Sequence, residues 1–325
     1  MRPDALRRRL VEVGEAVRDD VLRVCRTAGV EQLAAYDDSG PGDTAFAIDR
    51  VSEARLVELV EGLGVPVLLV AEGLDPAGLA VGDGPPAWTL LVDPLDGTRQ
   101  LAHQKRSAWV LLGAAPGTGG TLADLEVSVA VEVPTVKAGA ADVLSAVRGE
   151  GTDGVRVDLR DGARRPLPVR PSTARGLEQG YGGVARYFPG AREELAAIDD
   201  AVARRVLGPA RAGKAQCFED QYCTGGTLVE LAVGHDRWAC DLRPLLGTAR
   251  AGICAHPYDL AGWLVAAEAG VHVVRPDGGP LDAPLDLVAD VAWAAYANDA
   301  VRAAVEPALH AELAERGLLD WSRRS

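Results

Sequence analysis

Apolar residues recur at helical spacing from the start of the chain. Leu6, Leu10, Val13, Val17, Val21 and Val24 fall near one face of residues 4–28, which predicts a helix laying one stripe on a core. The period then changes. AFAID (45–49) reads as a short strand and VSEARLVELVEGL (51–63) as a helix. Two unbroken apolar runs, VPVLLVAE (65–72) and AWTLLVDP (87–94), are bounded by glycine and proline and predict buried strands. Each brings an acid to its end, Glu72 in one and Asp93 in the other. SAWVLLGAA (107–115) and LEVSVAVEVP (125–134) predict two further strands, with Trp109 in the core.

A second half begins near residue 150. GEGTDGVRVDLRDGARRPLPV predicts a hairpin about Asp161-Gly162, and AREELAAIDDAVARRVL (191–207) a helix. TLVELAVG (227–234) and YDLAGWLVAAEAG (258–270) predict helices stopped by glycine. Strands and helices mix without the strict alternation of a doubly wound sheet, so the expected fold class is a layered α/β arrangement. It is expected to have two halves, 1–150 and 151–325, acting as one functional unit.

Composition narrows the class. The 325 residues are 48% apolar and 25% charged, which fits a folded globular chain, and no apolar run reaches the roughly 18 residues of a membrane span. The N-terminal segment lacks the compact apolar core of a signal peptide, so a cytoplasmic protein is expected. A net charge of −13 argues against nucleic-acid binding, which needs a basic surface. An acidic protein handling an anionic substrate needs metal ions or clustered arginines for local compensation. The five cysteines are scattered without a CxxC pair and read as reduced thiols.

The sharpest chemical feature is LLVDPLDGTRQ. A buried strand delivers Asp93, Pro94 fixes a turn, and Asp96 follows three residues later. Two carboxylates with the Leu95 carbonyl between them make an all-oxygen corner suited to Mg²⁺. Gly97 and Thr98 open a helix or turn whose amides suit a phosphate oxygen, and Thr98 can orient a water. Glu72 joins this corner if the two apolar strands are neighbours. Asp259, in AHPYDLAGW, either caps a helix or brings another acid to the same point.

These residues carry a resemblance to the inositol monophosphatase family, within the lithium-sensitive, metal-dependent phosphatases. Its motifs are similar to AIDR with Asp49, VAEG with Glu72, DPLDGT (93–98), GGTLVELAVG (225–234), HPYD with Asp259, EAG (268–270) and YANDAVRAAVEPAL (296–309), so the likeness spans nearly the whole chain. It implies alternating α-β-α-β-α layers, a homodimer and hydrolysis of a small soluble phosphate monoester, an inositol, cyclitol or sugar phosphate. It further implies two or three Mg²⁺ ions, with Mn²⁺ as a substitute, held by Glu72, Asp93, the Leu95 carbonyl, Asp96 and Asp259. Asp49 and Thr98 would activate the attacking water, and the Gly97 and Thr98 amides would hold the phosphate. Alternatives are a 3′-nucleotidase, a sugar bisphosphatase, or a relative that binds a phosphorylated ligand without turnover.

The chain departs from the family pattern. Gly73 stands where a second glutamate is usual, Tyr258 replaces a tryptophan, and the 241–259 segment is long. In the family an acid before the last motif contacts substrate hydroxyls, and the resemblance implies that role for Asp241. His256 is a candidate for substrate contact or for a structural turn. Arg164, Arg165, Arg170 and Arg175, with Arg211 and Lys214, are candidates for a second anionic group.

Overall fold

Every second residue of the central strands packs to the same side, and the two sides meet different helices. In the computed structural model, residues 1–37, 45–208, 217–247 and 252–319 are described. The chain opens with α1 (Pro3–Thr27) and a single turn, α2 (Val30–Leu33). A short pair, β1 (Tyr36–Asp37) and β2 (Ala45–Phe46), leads into α3 (Asp49–Glu61). The predicted 45–49 strand is therefore shorter, and Asp49 starts a helix instead of ending a strand. Eight strands then form the large sheet: β3 (Val67–Ala71), β4 (Leu79–Val81), β5 (Trp88–Asp96), β6 (Ala108–Pro116), β7 (Val127–Val133), β8 (Ala140–Val147), β9 (Gly151–Asp158) and β10 (Arg164–Pro166). Their spatial order is β10-β9-β8-β7-β6-β5-β3-β4. The short helix α4 (Thr98–Ala102) follows β5.

β8 pairs with β9 from Val147↔Gly151 onward, so residue 150 lies in a hairpin turn of the first sheet. The chain leaves that sheet after Pro166 and enters the second at Gly180. The hairpin about Asp161-Gly162 forms as expected, the Gly162 amide donating to the Asp158 carbonyl at 2.9 Å.

The second sheet holds β11 (Gly180–Val184), β12 (Cys217–Phe218), β13 (Asp236–Asp241), β14 (His272–Val274) and β15 (Trp293–Tyr296), in the order β12-β11-β13-β15-β14. Its helices are α5 (Arg192–Leu207), α6 (Thr224–Ala232), α7 (Arg243–Leu246), α8 (Trp263–Glu268) and α9 (Asp299–Glu315).

Three cores separate the layers. Leu90, Val92, Leu112 and Val131 of the large sheet pack against Leu6, Leu10, Val17 and Val21 of α1, with α3 beside it. Leu91, Leu111 and Ala130 face the other way, onto α6, α8 and the inner face of the second sheet. The outer face of that sheet meets α5 and α9 through Ile198, Val202, Val305 and Leu309. This alternation is the period-2 geometry of a strand buried on both faces. It gives the α-β-α-β-α layering. Full burial of each large aliphatic side chain contributes about 1.5–3 kcal/mol. Among the described residues no helix is long and apolar enough to cross a membrane.

Candidate metal centre and cleft

The spacing of the first two acids follows from an irregularity in β5. Asp93 pairs with Leu111 and Asp96 with Trp109, so three steps on β5 match two on β6. Residues three apart on a regular strand face opposite sides. One extra residue cancels that parity and turns both carboxylates toward the same place. Pro94 fits inside the bulge, where no ladder hydrogen bond is lost. Asp93 Oδ1 accepts the Leu95 amide at 2.9 Å. β3 runs parallel beside β5 with Ala71 opposite Val92, and the Glu72 amide donates to the Val92 carbonyl at 3.1 Å. Glu72 and Asp93 therefore leave the sheet side by side.

Asp259 comes from far along the sequence, in a 3₁₀ turn at Tyr258–Leu260. The His256 amide donates to its Oδ2 at 2.6 Å. One carboxylate oxygen from each of Asp93, Asp96 and Asp259 lies within 4.8 Å of the other two.

Asp96 is held from behind by the N-terminus of α6. Its Oδ2 accepts the Gly225 amide at 2.7 Å and the Gly226 amide at 3.2 Å. The two glycines permit this approach. A Cβ on Gly225 would lie 2.3 Å from Leu111 Cδ1 and 2.9 Å from Asp96 Oδ2, and one on Gly226 would lie 2.7 Å from Cys223 Sγ. Gly225→Ala is expected to cost about 1–3 kcal/mol of stability by overpacking, read by denaturant unfolding. No measurable loss would mean the α6 N-terminus is not packed this tightly.

The acids strain one another electrostatically. Burial, then the charges of Glu72, Asp96 and Asp259, raise the Asp93 carboxyl well above its ordinary range. Burial raises Asp96 to about 6, against the pull of the Cys223 thiol and the two glycine amides. Burial and then Asp96 raise Asp259 to about 7. An oxygen-lined, negative pocket fits a hard divalent cation, which would compensate this repulsion.

Beside the corner, Thr98 Oγ1 lies 2.7 Å from Asp49 Oδ1 and 2.7 Å from the Leu95 carbonyl. Its single proton serves one of these acceptors at a time. Asp49 Oδ2 accepts the Phe46 amide at 2.8 Å, which orients the carboxylate. Gly97 has φ +92, a left-handed value that glycine adopts without strain, and it starts α4.

Of the residues expected at the metal, catalytic and phosphate sites, all except Asp241 line one cleft of about 330 Å³. Asp241 is wholly buried at the end of β13. Its Oδ1 accepts Arg243 Nε at 2.9 Å, and its Oδ2 accepts Arg243 Nη2 at 2.5 Å. The cleft wall there is Arg243 itself. An ion pair closed off in this way cannot offer its carboxylate to a substrate hydroxyl. The His256 ring stacks on Tyr258 at 5.2 Å and also faces the cleft. Arg164 lies on the edge strand β10 and bonds the Glu15 carboxylate at 2.8 Å, away from the cleft. Arg211 and Lys214 fall outside the described residues.

Gly73 is not an empty position. A Cβ there would lie 2.2 Å from Glu53 Oε1, so a glutamate of α3 fills the space. Burial and then the Asp49 charge raise its carboxyl. Glu53 follows Asp49 by one helical turn and lies far from residue 73 in sequence, so the residues around Gly73 carry no sign of it. Arg99, Tyr187, Phe188 and Cys223 also line the cleft without having been singled out. Only Arg99, directly after DPLDGT, carried a signal of position.

No protein-family model matches the chain, and no curated protein matches it in sequence. Solved structures do match over nearly all its length. An inositol monophosphatase from Anabaena (Nostoc) sp. is 17% identical, covering 96% of both chains with a TM-score of 0.57. The extragenic suppressor protein suhB from Bartonella henselae is 17% identical, covering 94% of this chain and 98% of its own, with a TM-score of 0.65. Fructose-1,6-bisphosphatase from Leishmania major is 13% identical, covering 91% of each chain, with a TM-score of 0.67. The layered architecture of this chain is thus the fold shared by these inositol monophosphatase, suhB and fructose-1,6-bisphosphatase structures.

Proposed function

We propose that the chain is a Mg²⁺-dependent phosphatase that hydrolyses a small soluble phosphate monoester. The convergence of Asp93, Asp96 and Asp259 within 4.8 Å, beside a hydrogen-bonded Thr98–Asp49 pair, carries this reading. Glu72, Asp93, the Leu95 carbonyl, Asp96 and Asp259 would hold the cations. Bound there, divalent cations supply charge neutralisation and water activation for an in-line displacement.

The chain's own residues provide the rest. Thr98 Oγ1 is within hydrogen-bond reach of Asp49 Oδ1 at 2.7 Å, and if the Leu95 carbonyl were to hold a cation, Asp49 would remain as the acceptor of the Thr98 proton. Thr98 Oγ1 can then accept a proton from the attacking water while passing its own to Asp49. The water oxygen bonds to phosphorus, the ester P–O bond breaks, and the leaving alkoxide is protonated by solvent. The Gly97 and Thr98 amides, at the start of α4, would face the phosphoryl oxygens.

The direct test is phosphate release from a panel of sugar, cyclitol and nucleotide esters, with Mg²⁺ and with a chelator. Turnover should appear only with the metal. Absence of release from every ester by a folded, metal-binding chain would support a binding protein instead. Asp49→Asn should lower kcat by about 100-fold or more, the usual range for losing a proton acceptor, with Mn²⁺ affinity little changed. A kcat within threefold of the parent would remove Asp49 from the relay.

A further inference from the structure

Asp49 is oriented through a backbone amide, and the residue that carries this amide is fastened from the second sheet. Phe46 ends β2, three residues before Asp49, and its amide donates to Asp49 Oδ2 at 2.8 Å. The other carboxylate oxygen lies 2.7 Å from Thr98 Oγ1, so the direction of the Phe46 amide helps to set the direction of the proton acceptor. β2 contributes only Ala45 and Phe46 to its pairing with Tyr36 and Asp37. A two-stranded pairing this short holds little by itself. The buried Phe46 ring supplies the anchor instead.

Arg99 meets that ring. Its guanidinium lies over Phe46 at 5.4 Å and over Phe188 at 4.8 Å. Arg99 stands on α4 directly after Thr98, whereas Phe188 belongs to the loop that follows β11 in the second sheet. One cation therefore ties the segment that orients Asp49 to a loop of the other layer. The far end of this tie is fixed. Arg192 donates to the Arg186, Tyr187 and Phe188 carbonyls at 3.2, 2.6 and 2.9 Å. The Arg243 guanidinium, bonded to Asp241, lies 5.2 Å from the Phe188 ring. A ring attracts a guanidinium through its quadrupole, which an aliphatic side chain lacks. Phe46, Arg99 and Phe188 all line the cleft together with Asp49 and Thr98.

We propose that Phe46, Arg99 and Phe188 form a latch of positioning residues that holds the Asp49 carboxylate in line with Thr98. None of the three needs to touch the reacting atoms. The latch acts through the Phe46 amide, so the loop after β11 governs proton acceptance beside the large sheet. Proton transfer depends steeply on how donor and acceptor are aligned. A released Phe46 would leave the carboxylates of the acidic corner in place and slow the chemical step. The kinetic consequence rests on the phosphatase reading above, whereas the latch itself is measured without turnover.

The first measurement is residue-resolved hydrogen exchange of the metal-free full chain. Phe188→Leu keeps an apolar side chain and removes the ring. It should raise exchange at the Phe46 amide by about tenfold or more, while the Leu95 amide, bonded to Asp93, stays within about threefold. Arg99→Met takes the cation from the middle and should give the same pattern, which covers a Phe188→Leu chain that fails to fold. Phe188→Tyr keeps a ring and should leave both amides as in the parent. With Mg²⁺ and an ester that is turned over, Phe188→Leu and Phe46→Leu should each lower kcat by about tenfold, with KM and Mn²⁺ affinity within about threefold. The double variant should lose no more than about 20-fold, because both ends of one latch release the same bond. An unchanged Phe46 amide overturns the proposal, as does an equal rise at Phe46 and Leu95, which marks general loosening. Losses that multiply to about 100-fold in the double variant, or equal losses in Phe188→Tyr and Phe188→Leu, also overturn it. If no ester is turned over, the phosphatase reading fails separately and hydrogen exchange alone decides.

Discussion

Replacing Asp93 with asparagine is expected to lower turnover by at least about 100-fold while raising the melting temperature of the metal-free chain at pH 8. The two effects have one cause. Asparagine keeps the volume and can keep the oxygen that accepts the Leu95 amide, so the β5 bulge has no steric reason to change. It removes the charge that burial, Glu72, Asp96 and Asp259 all oppose. Without cations that charge is a liability; with them it would join the proposed ligand set. A 100-fold loss is about 2.7 kcal/mol of transition-state stabilisation. The measurements are kcat with saturating Mg²⁺ and thermal unfolding with a chelator. Retained turnover, or a lower melting temperature without metal, would count against Asp93 as a ligand.

The metal-free chain is further expected to lose stability as pH rises from about 5 to 8, and Mg²⁺ to return it. Asp96 titrates at about 6 and Asp259 at about 7 in the folded chain, above the ordinary value of about 4 in an unfolded one. Between these limits the folded state binds more protons than the unfolded state, so unfolding free energy falls with rising pH. The stabilising contribution is full below pH ~4 and lost as pH passes 6 to 7. Asp236, raised to about 7 by burial and Glu230, adds a slope of the same sign. The Mg²⁺ increment separates the two, because cation binding requires the deprotonated cluster. The gain in melting temperature on adding Mg²⁺ should be larger at pH 8 than at pH 5.5 by at least about 4 °C. Asp259→Asn should abolish that difference. Equal increments at both pH values would mean the three acids do not bind the cation together.

Much of the frame was legible because it rests on local periodicity. α1, α5 and the strands β3, β5, β6 and β7 follow from the spacing of apolar residues alone, since a buried face must repeat at the period of its element. β8, β11 and β13 were not anticipated. Ala140–Val147 mixes small and polar residues, and Gly180–Val184 is glycine-rich. Such segments form strands because a neighbouring sheet edge supplies hydrogen bonds and burial, a tertiary effect. The same limitation put the half-chain boundary at residue 150, inside the β8–β9 hairpin.

The sequence by itself determined the chemistry of the centre. DPLDGT couples two carboxylates, a carbonyl and a hydroxyl through short-range backbone geometry, so its character is set by a few adjacent residues. Folding decided which distant groups join it. Asp259 and Glu72 converge on the corner, whereas Asp241 does not, because Arg243 two residues on closes a buried ion pair around its carboxylate. Glu53 fills the space above Gly73, and Arg99 meets Phe188 across two sheets' worth of chain. Those contacts depend on where layers pack in space, and residue order along a strand or helix contains no record of which faces will meet.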